Sequence, residues 1–63
     1  MPAVMASHHQ CNLIKTLLEK KGQDLKAVTQ KLLKKEIEHR HELTSYQAHI
    51  VIDWLLIQKN KND

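Results

Sequence analysis

Apolar residues recur along this chain at helical spacing in three separate stretches. In the first, Cys11, Ile14, Leu17 and Leu18 line one face, with Leu13 beside them; this is the i, i+3, i+4 pattern of an amphipathic helix. Ser7-His8-His9-Gln10 precedes the stripe and has the form of a capping box. In such a box the Ser hydroxyl accepts from the Gln10 amide while the Gln10 side chain reaches back. Gly22 stands where a left-handed residue closes a helix, and Lys20 and Lys21 place positive charge in the last turn, where the helix dipole favours it. The pattern predicts a helix over residues 7–21. In the second stretch Asp24 reads as an N-cap, and Leu25, Val28, Leu32 and Leu33 form a stripe that predicts a helix over 24–37. Residues 36–42 are crowded with charge and imidazole but hold neither Gly nor Pro, so they fit either a loop or a continuation of that helix. The third stretch opens on Leu43-Thr44-Ser45-Tyr46-Gln47-Ala48. Thr44 and Gln47 form a second capping box, and Leu43 and Ala48 take the two positions of a hydrophobic staple. A helix is predicted over 44–59. Residues 1–6 read as a disordered lead and 60–63 as a frayed tail.

The first and third helices begin alike: Ser7-x-x-Gln10-Cys11-x-x-Ile14 parallels Thr44-x-x-Gln47-Ala48-x-x-Val51. They differ further on. In the third helix Ala48, Val51, Ile52 and Leu55 form a core-facing stripe, and Ile50, Trp54 and Ile57 form a second at i, i+4, i+7, with Leu56 besides. Only His49, Asp53 and Asn60 mark a polar line. A helix apolar nearly all round is buried nearly all round, and two short partners cannot cover it. Either this is the central helix of a bundle with Trp54 capping the core, or Ile50, Trp54 and Ile57 form a contact surface for a second copy or another protein.

Length sharpens that choice. The chain has 63 residues, enough for one domain that buries roughly 60% of its unfolded surface. A deep substrate cleft walled by its own residues does not fit that size. One Cys excludes an intramolecular disulfide framework, and one Gly excludes glycine-rich phosphate loops. The N-terminus lacks a basic segment followed by an apolar run. The longest apolar-rich stretch, residues 48–57, is well short of the roughly 20 residues of a membrane span. A soluble, cytoplasmic protein with no membrane association is expected.

Charge is unevenly placed. The net charge is +3. Lys15, Lys20, Lys21, Lys26, Lys31, Lys34 and Lys35 face only Glu19 and Asp24 within their stretch, whereas acids outnumber bases from Glu36 onward. On a continuous second helix Lys31, Lys34 and Lys35 share a face. Such a face can track a phosphate backbone, weakly and without sequence preference, or can simply be solvated. There is one Arg, and no aromatic lies among the lysines in sequence to stack a base.

Candidate chemistry is thin. His8 and Cys11 are three apart, and His39 and His41 lie near each other, but nothing has the paired spacing of a zinc site. Glu36, Glu38 and Glu42 lie in a charge-dense segment that reads as solvated rather than as paired carboxylates for acid–base work. No nucleophile–base arrangement can be assembled around a pocket. The sequence predicts a non-enzyme with no cofactor, no metal and no small-molecule substrate.

The string Leu43-Thr44-x-x-Gln47-Ala48-x-x-Val51-Ile52-Asp53-x-Leu55 resembles a helical signature of phage and bacterial DNA-metabolism proteins. Together with the capped, Gly-terminated helix upstream, it looks like the small helical module of Mu-type phage regulatory proteins. It is also similar to the tail modules of phage single-strand annealing proteins. The resemblance spans about Ser7 to Leu56, and Trp54 and Ile57 are more apolar than the residues usual there.

The fold expected is all-α, a compact three-helix bundle, with homodimerisation as one way to complete it. Two functions follow. The first, which the resemblance implies, is a phage or mobile-element protein that associates with DNA or DNA-processing machinery through Lys15, Lys20, Lys21, Lys26, Lys31, Lys34 and Lys35. The second is a protein-interaction module, an adaptor or inhibitor of a host protein or a homodimer, that binds through Ile50, Trp54 and Ile57.

Overall fold

The computed structural model describes residues 4–59. Three helices form an all-α bundle: α1 (His8–Lys21), α2 (Leu25–Leu33) and α3 (Ser45–Leu56), with a single 3₁₀ turn at Arg40–Glu42. The predicted tail, residues 60–63, lies outside the described residues, as do residues 1–3.

Local sequence chemistry sets the start of α1 and α3. Ser7 Oγ accepts from the Gln10 amide at 3.1 Å, and Gln10 Oε1 accepts from the Ser7 amide at 3.0 Å. Thr44 and Gln47 repeat the pair at 3.1 and 3.0 Å. Each box satisfies two donors that a helix start leaves without partners. Behind the second box, Leu43 and Ala48 are both fully buried, as a staple requires. At the other end of α1, Gly22 adopts φ 64°, ψ 34°. The Gly22 amide donates to Glu19 O at 3.3 Å and the Gln23 amide to Leu18 O at 3.0 Å, the two bonds of a Schellman closure.

The second helix stops at Leu33, short of Ile37. Lys34 takes the left-handed conformation, φ 59°, without being glycine. The cause is tertiary. Thr29, in the middle of α2, is fully buried. Its hydroxyl donates to Leu25 O at 2.9 Å and accepts from the Ile37 amide at 3.1 Å. Ile37 is itself buried in the core. Burying Ile37 beside Thr29 requires the chain to reverse at Lys34, so 36–42 is a loop rather than a fourth and fifth turn of α2. Helix α3 likewise ends at Leu56, with Ile57 as its cap, before Lys59.

α3 is the central element and packs against both α1 and α2. Gln10 Nε2 near the start of α1 donates to Ser45 O at 3.3 Å, and Lys21 Nζ at its end donates to Gln58 O at 2.7 Å. The two helices therefore run parallel. Their shared core holds Ile14, Leu17, Val51 and Leu55, with Leu25, Val28, Ile37, Leu43, Ala48 and Ile52 around them. All four residues predicted to face inward on α3 do so.

The N-terminal segment differs from the expected lead. Met5 bridges Thr44 in antiparallel fashion. The Ala6 amide donates to Leu43 O at 2.9 Å and the Ser45 amide to Val4 O at 2.7 Å. Residues 4–6 thus strap the chain just before α3. The bonds are backbone to backbone, so side-chain pattern gave no sign of them.

Candidate functional site

The outer side of α3 is the feature the fold leaves open. With Ala48, Val51, Ile52 and Leu55 turned inward, Tyr46, Ile50, Trp54 and Ile57 run in a row along the opposite side. Tyr46 is 74% exposed and Ile57 77%, while Ile50 and Trp54 are half-buried. Leu56, beside the row, is 58% exposed. Sequence reasoning named Ile50, Trp54 and Ile57 and missed Tyr46. The missing signal was its spacing: it lies four residues before Ile50, which extends the row by one turn.

Trp54 has a double role. One part of it packs against the core, and Lys31 Nζ from α2 sits 5.4 Å from its ring centroid, within cation–π range. The row is flanked on its other side by His49 and Asp53. His49 Nε2 lies 3.1 Å from Asp53 Oδ2, one turn apart, and both side chains are exposed. A shallow hollow at the start of α3 is lined by Val4, Gln10, Thr44, Ser45, Tyr46 and His49, so the open surface continues onto the N-terminal strap.

Lys31, Lys34 and Lys35 do not share a helix face. Lys34 and Lys35 lie beyond the end of α2, so the helical register that places them beside Lys31 does not exist. This corrects the shared face read from spacing, and the reversal at Lys34 is the reason. Three lysines are held by other parts of the molecule: Lys21 on Gln58 O, Lys26 at 3.5 Å from Glu38, and Lys31 over Trp54. Lys15, Lys20, Lys34 and Lys35 are exposed. On α1, Lys15 and Lys20 point about 140° apart by helix geometry.

The structure brings Trp54 to Lys31, although the two are far apart in sequence. His39 and His41 stack with ring centroids 5.4 Å apart and planes 10° from parallel. Among the described residues, no three His, Cys, Asp or Glu side chains converge as a metal site would need. Cys11 is a free thiol, half-buried. No described helix is long and apolar enough to cross a membrane.

No protein-family model, no curated protein and no solved structure matches the chain.

Proposed function

We propose that the chain is a small protein-interaction module whose working surface is the outer row of α3: Tyr46, Ile50, Trp54 and Ile57. The observation that carries this reading is the exposure of Ile57 and Tyr46 at the two ends of a helix whose inner side is the middle of the core. The exposed ends of the row, Tyr46 and Ile57, cost solubility and lie outside the core. Such rows mark contact surfaces, and a half-buried Trp at the centre is the usual anchor of one.

A second reading has one observation in its favour. Lys31 and Trp54 form a cation–aromatic pair, a combination that suits a nucleic-acid strand. In that reading the exposed Lys15, Lys20, Lys34 and Lys35 meet phosphate, in keeping with the resemblance to phage DNA-metabolism modules. The wide angle between Lys15 and Lys20 on α1 and the end of α2 before Lys34 favour the first reading over this one.

Titration with labelled single- and double-stranded oligonucleotides at low salt separates the two. Trp54 is the one tryptophan of the chain, so its emission reports directly on the outer row of α3. The interaction reading predicts no saturable oligonucleotide binding. It also predicts a blue shift of Trp54 emission on engagement of the surface, a shift that Ile57→Glu abolishes. Saturable binding that falls steeply with salt and is lost in Lys34→Glu/Lys35→Glu would overturn it in favour of phosphate contact.

A further inference from the structure

We infer that the outer row of α3 docks against the same row of a second copy, in a parallel two-fold arrangement that sets Lys31 of each copy against Asp53 of the other. The inference rests on the reading of α3 as a contact surface and names its occupant.

Ile50 and Ile57 are two turns apart and mark the centre line of the row. By helix geometry Trp54 lies about 50° to one side of that line and Asp53 about 50° to the other, at nearly the same height. The Trp54 flank carries a positive charge, because Lys31 Nζ sits over the indole. The Asp53 flank carries a carboxylate, with His49 Nε2 3.1 Å from it. The surface is thus apolar along its middle, basic on one edge and acidic on the other.

That asymmetry selects among occupants. A two-fold axis parallel to α3 places each edge of the row against the opposite edge of the other copy and preserves height along the helix. Lys31 then faces Asp53 twice, once on each side of an Ile50–Ile57 centre. A two-fold axis perpendicular to α3 sets like edges together, with Lys31 against Lys31 and Asp53 against Asp53, and like charges in contact oppose association. A uniformly acidic partner meets repulsion at Asp53, and a uniformly basic one meets it at Lys31. The row complements itself better than it complements a partner of one sign. Isologous pairing of one patch with itself is also the commonest way that small proteins assemble. The contact covers Ile57 and shields Trp54, the two groups that the monomer leaves unfinished.

Sedimentation equilibrium on the full chain, from micromolar to millimolar concentration, tests this with four variants: Ile57→Glu, Lys31→Glu, Asp53→Lys, and the last two combined. Far-UV circular dichroism checks that each variant is folded. The expected result is a reversible dimer. Ile57→Glu weakens it by at least about thirtyfold, since the change falls on both copies at the centre of the contact. Lys31→Glu and Asp53→Lys each weaken it by about three- to tenfold, as expected for partly exposed ion pairs made twice. The combined charge swap returns the affinity to within about threefold of the unchanged chain, because it removes the repulsion that each single change creates.

A chain that stays monomeric at millimolar concentration would overturn the second copy as occupant while leaving the α3 surface open to another protein. A dimer indifferent to Ile57→Glu would overturn the surface itself. A dimer broken by Ile57→Glu but not restored by the charge swap would overturn the parallel register.

Discussion

Helices α1 and α3 are built to one local plan and put to different uses. Ser7, Gln10, Ile14 and Leu18 of α1 correspond, position by position, to Thr44, Gln47, Val51 and Leu55 of α3. Both capping boxes form with the same pair of distances. Both helices bury the fourth residue after the box Gln: Ile14 and Val51 are each fully buried. Their last turns part company. Glu19 and Lys20 of α1 stand where α3 has Leu56 and Ile57, and all four are exposed. Caps and inner stripes are what folding demands, and the two helices agree there. The outside of the last turn is free of that demand, and there one helix is charged and the other apolar. What α3 has and α1 lacks is an apolar outer row whose two ends, Tyr46 and Ile57, are exposed, and this difference is what the proposed contact surface rests on.

The comparison can be broken most severely at the corresponding inner positions Leu18 and Leu55. Leu55 is fully buried and Leu18 only partly. Leu55→Ala is expected to cost about 3–5 kcal/mol and Leu18→Ala about 1–2 kcal/mol, the difference reflecting the cavity each leaves. Urea unfolding followed by circular dichroism reads both, and equal losses would mean that α1 contributes to the core as much as α3 does.

Next in size is Thr29→Val. The change keeps the shape but deprives the buried Ile37 amide of its acceptor, at an expected cost of about 1–3 kcal/mol. Native-state hydrogen exchange adds a sharper reading. The Ile37 amide loses its protection in the variant, and the 36–42 loop loosens before the helices do.

The two caps give the sharpest like-for-like test. Ser7→Ala and Thr44→Ala are each expected to cost about 1 kcal/mol. Thr44 also bridges Met5 through the backbone, a contact that the substitution leaves in place, so thermal melts of the two variants should agree within about 0.5 kcal/mol. A much larger loss at Thr44 would show that the strap depends on the side chain.

The smallest effect has the opposite sign. Lys34→Gly removes the steric cost of a left-handed non-glycine residue and is expected to stabilise the chain by about 0.5 kcal/mol, the relief being partly offset by glycine's unfolded-state entropy.

Much of the fold was legible in the sequence because its determinants are local. The starts of α1 and α3 are each written in four residues, Gly22 marks one end, and the inner face of α3 follows from period alone; the N-cap of α2, Asp24, makes no side-chain cap bond. The end of α2 was not legible. Lys34 carries no breaker signal, and the reversal there is driven by Thr29 and Ile37 meeting in the core, eight residues apart. For the same reason the shared lysine face failed: it assumed helical register past a point where tertiary contacts end the helix. The strap of residues 4–6 was hidden because it is held by backbone groups that every sequence has. Of the site, the apolar stripe of Ile50, Trp54 and Ile57 was readable from spacing. The arrival of Lys31 over Trp54 was not, since it requires the packing of α2 on α3. That contact gives the row a basic edge, and with it a reason for one occupant over another.

The most direct test gives α3 the outer surface of α1. The double variant Leu56→Glu/Ile57→Lys copies Glu19 and Lys20 onto the corresponding positions. Its melt in dilute solution and its sedimentation at high concentration should be measured beside those of the unchanged chain. The account predicts a stability within about 0.5 kcal/mol of the original, because both positions are exposed, together with a monomer at every concentration. Self-association that survives the change, or a chain that no longer folds, would contradict the claim that the exposed end of this row serves contact and not the core.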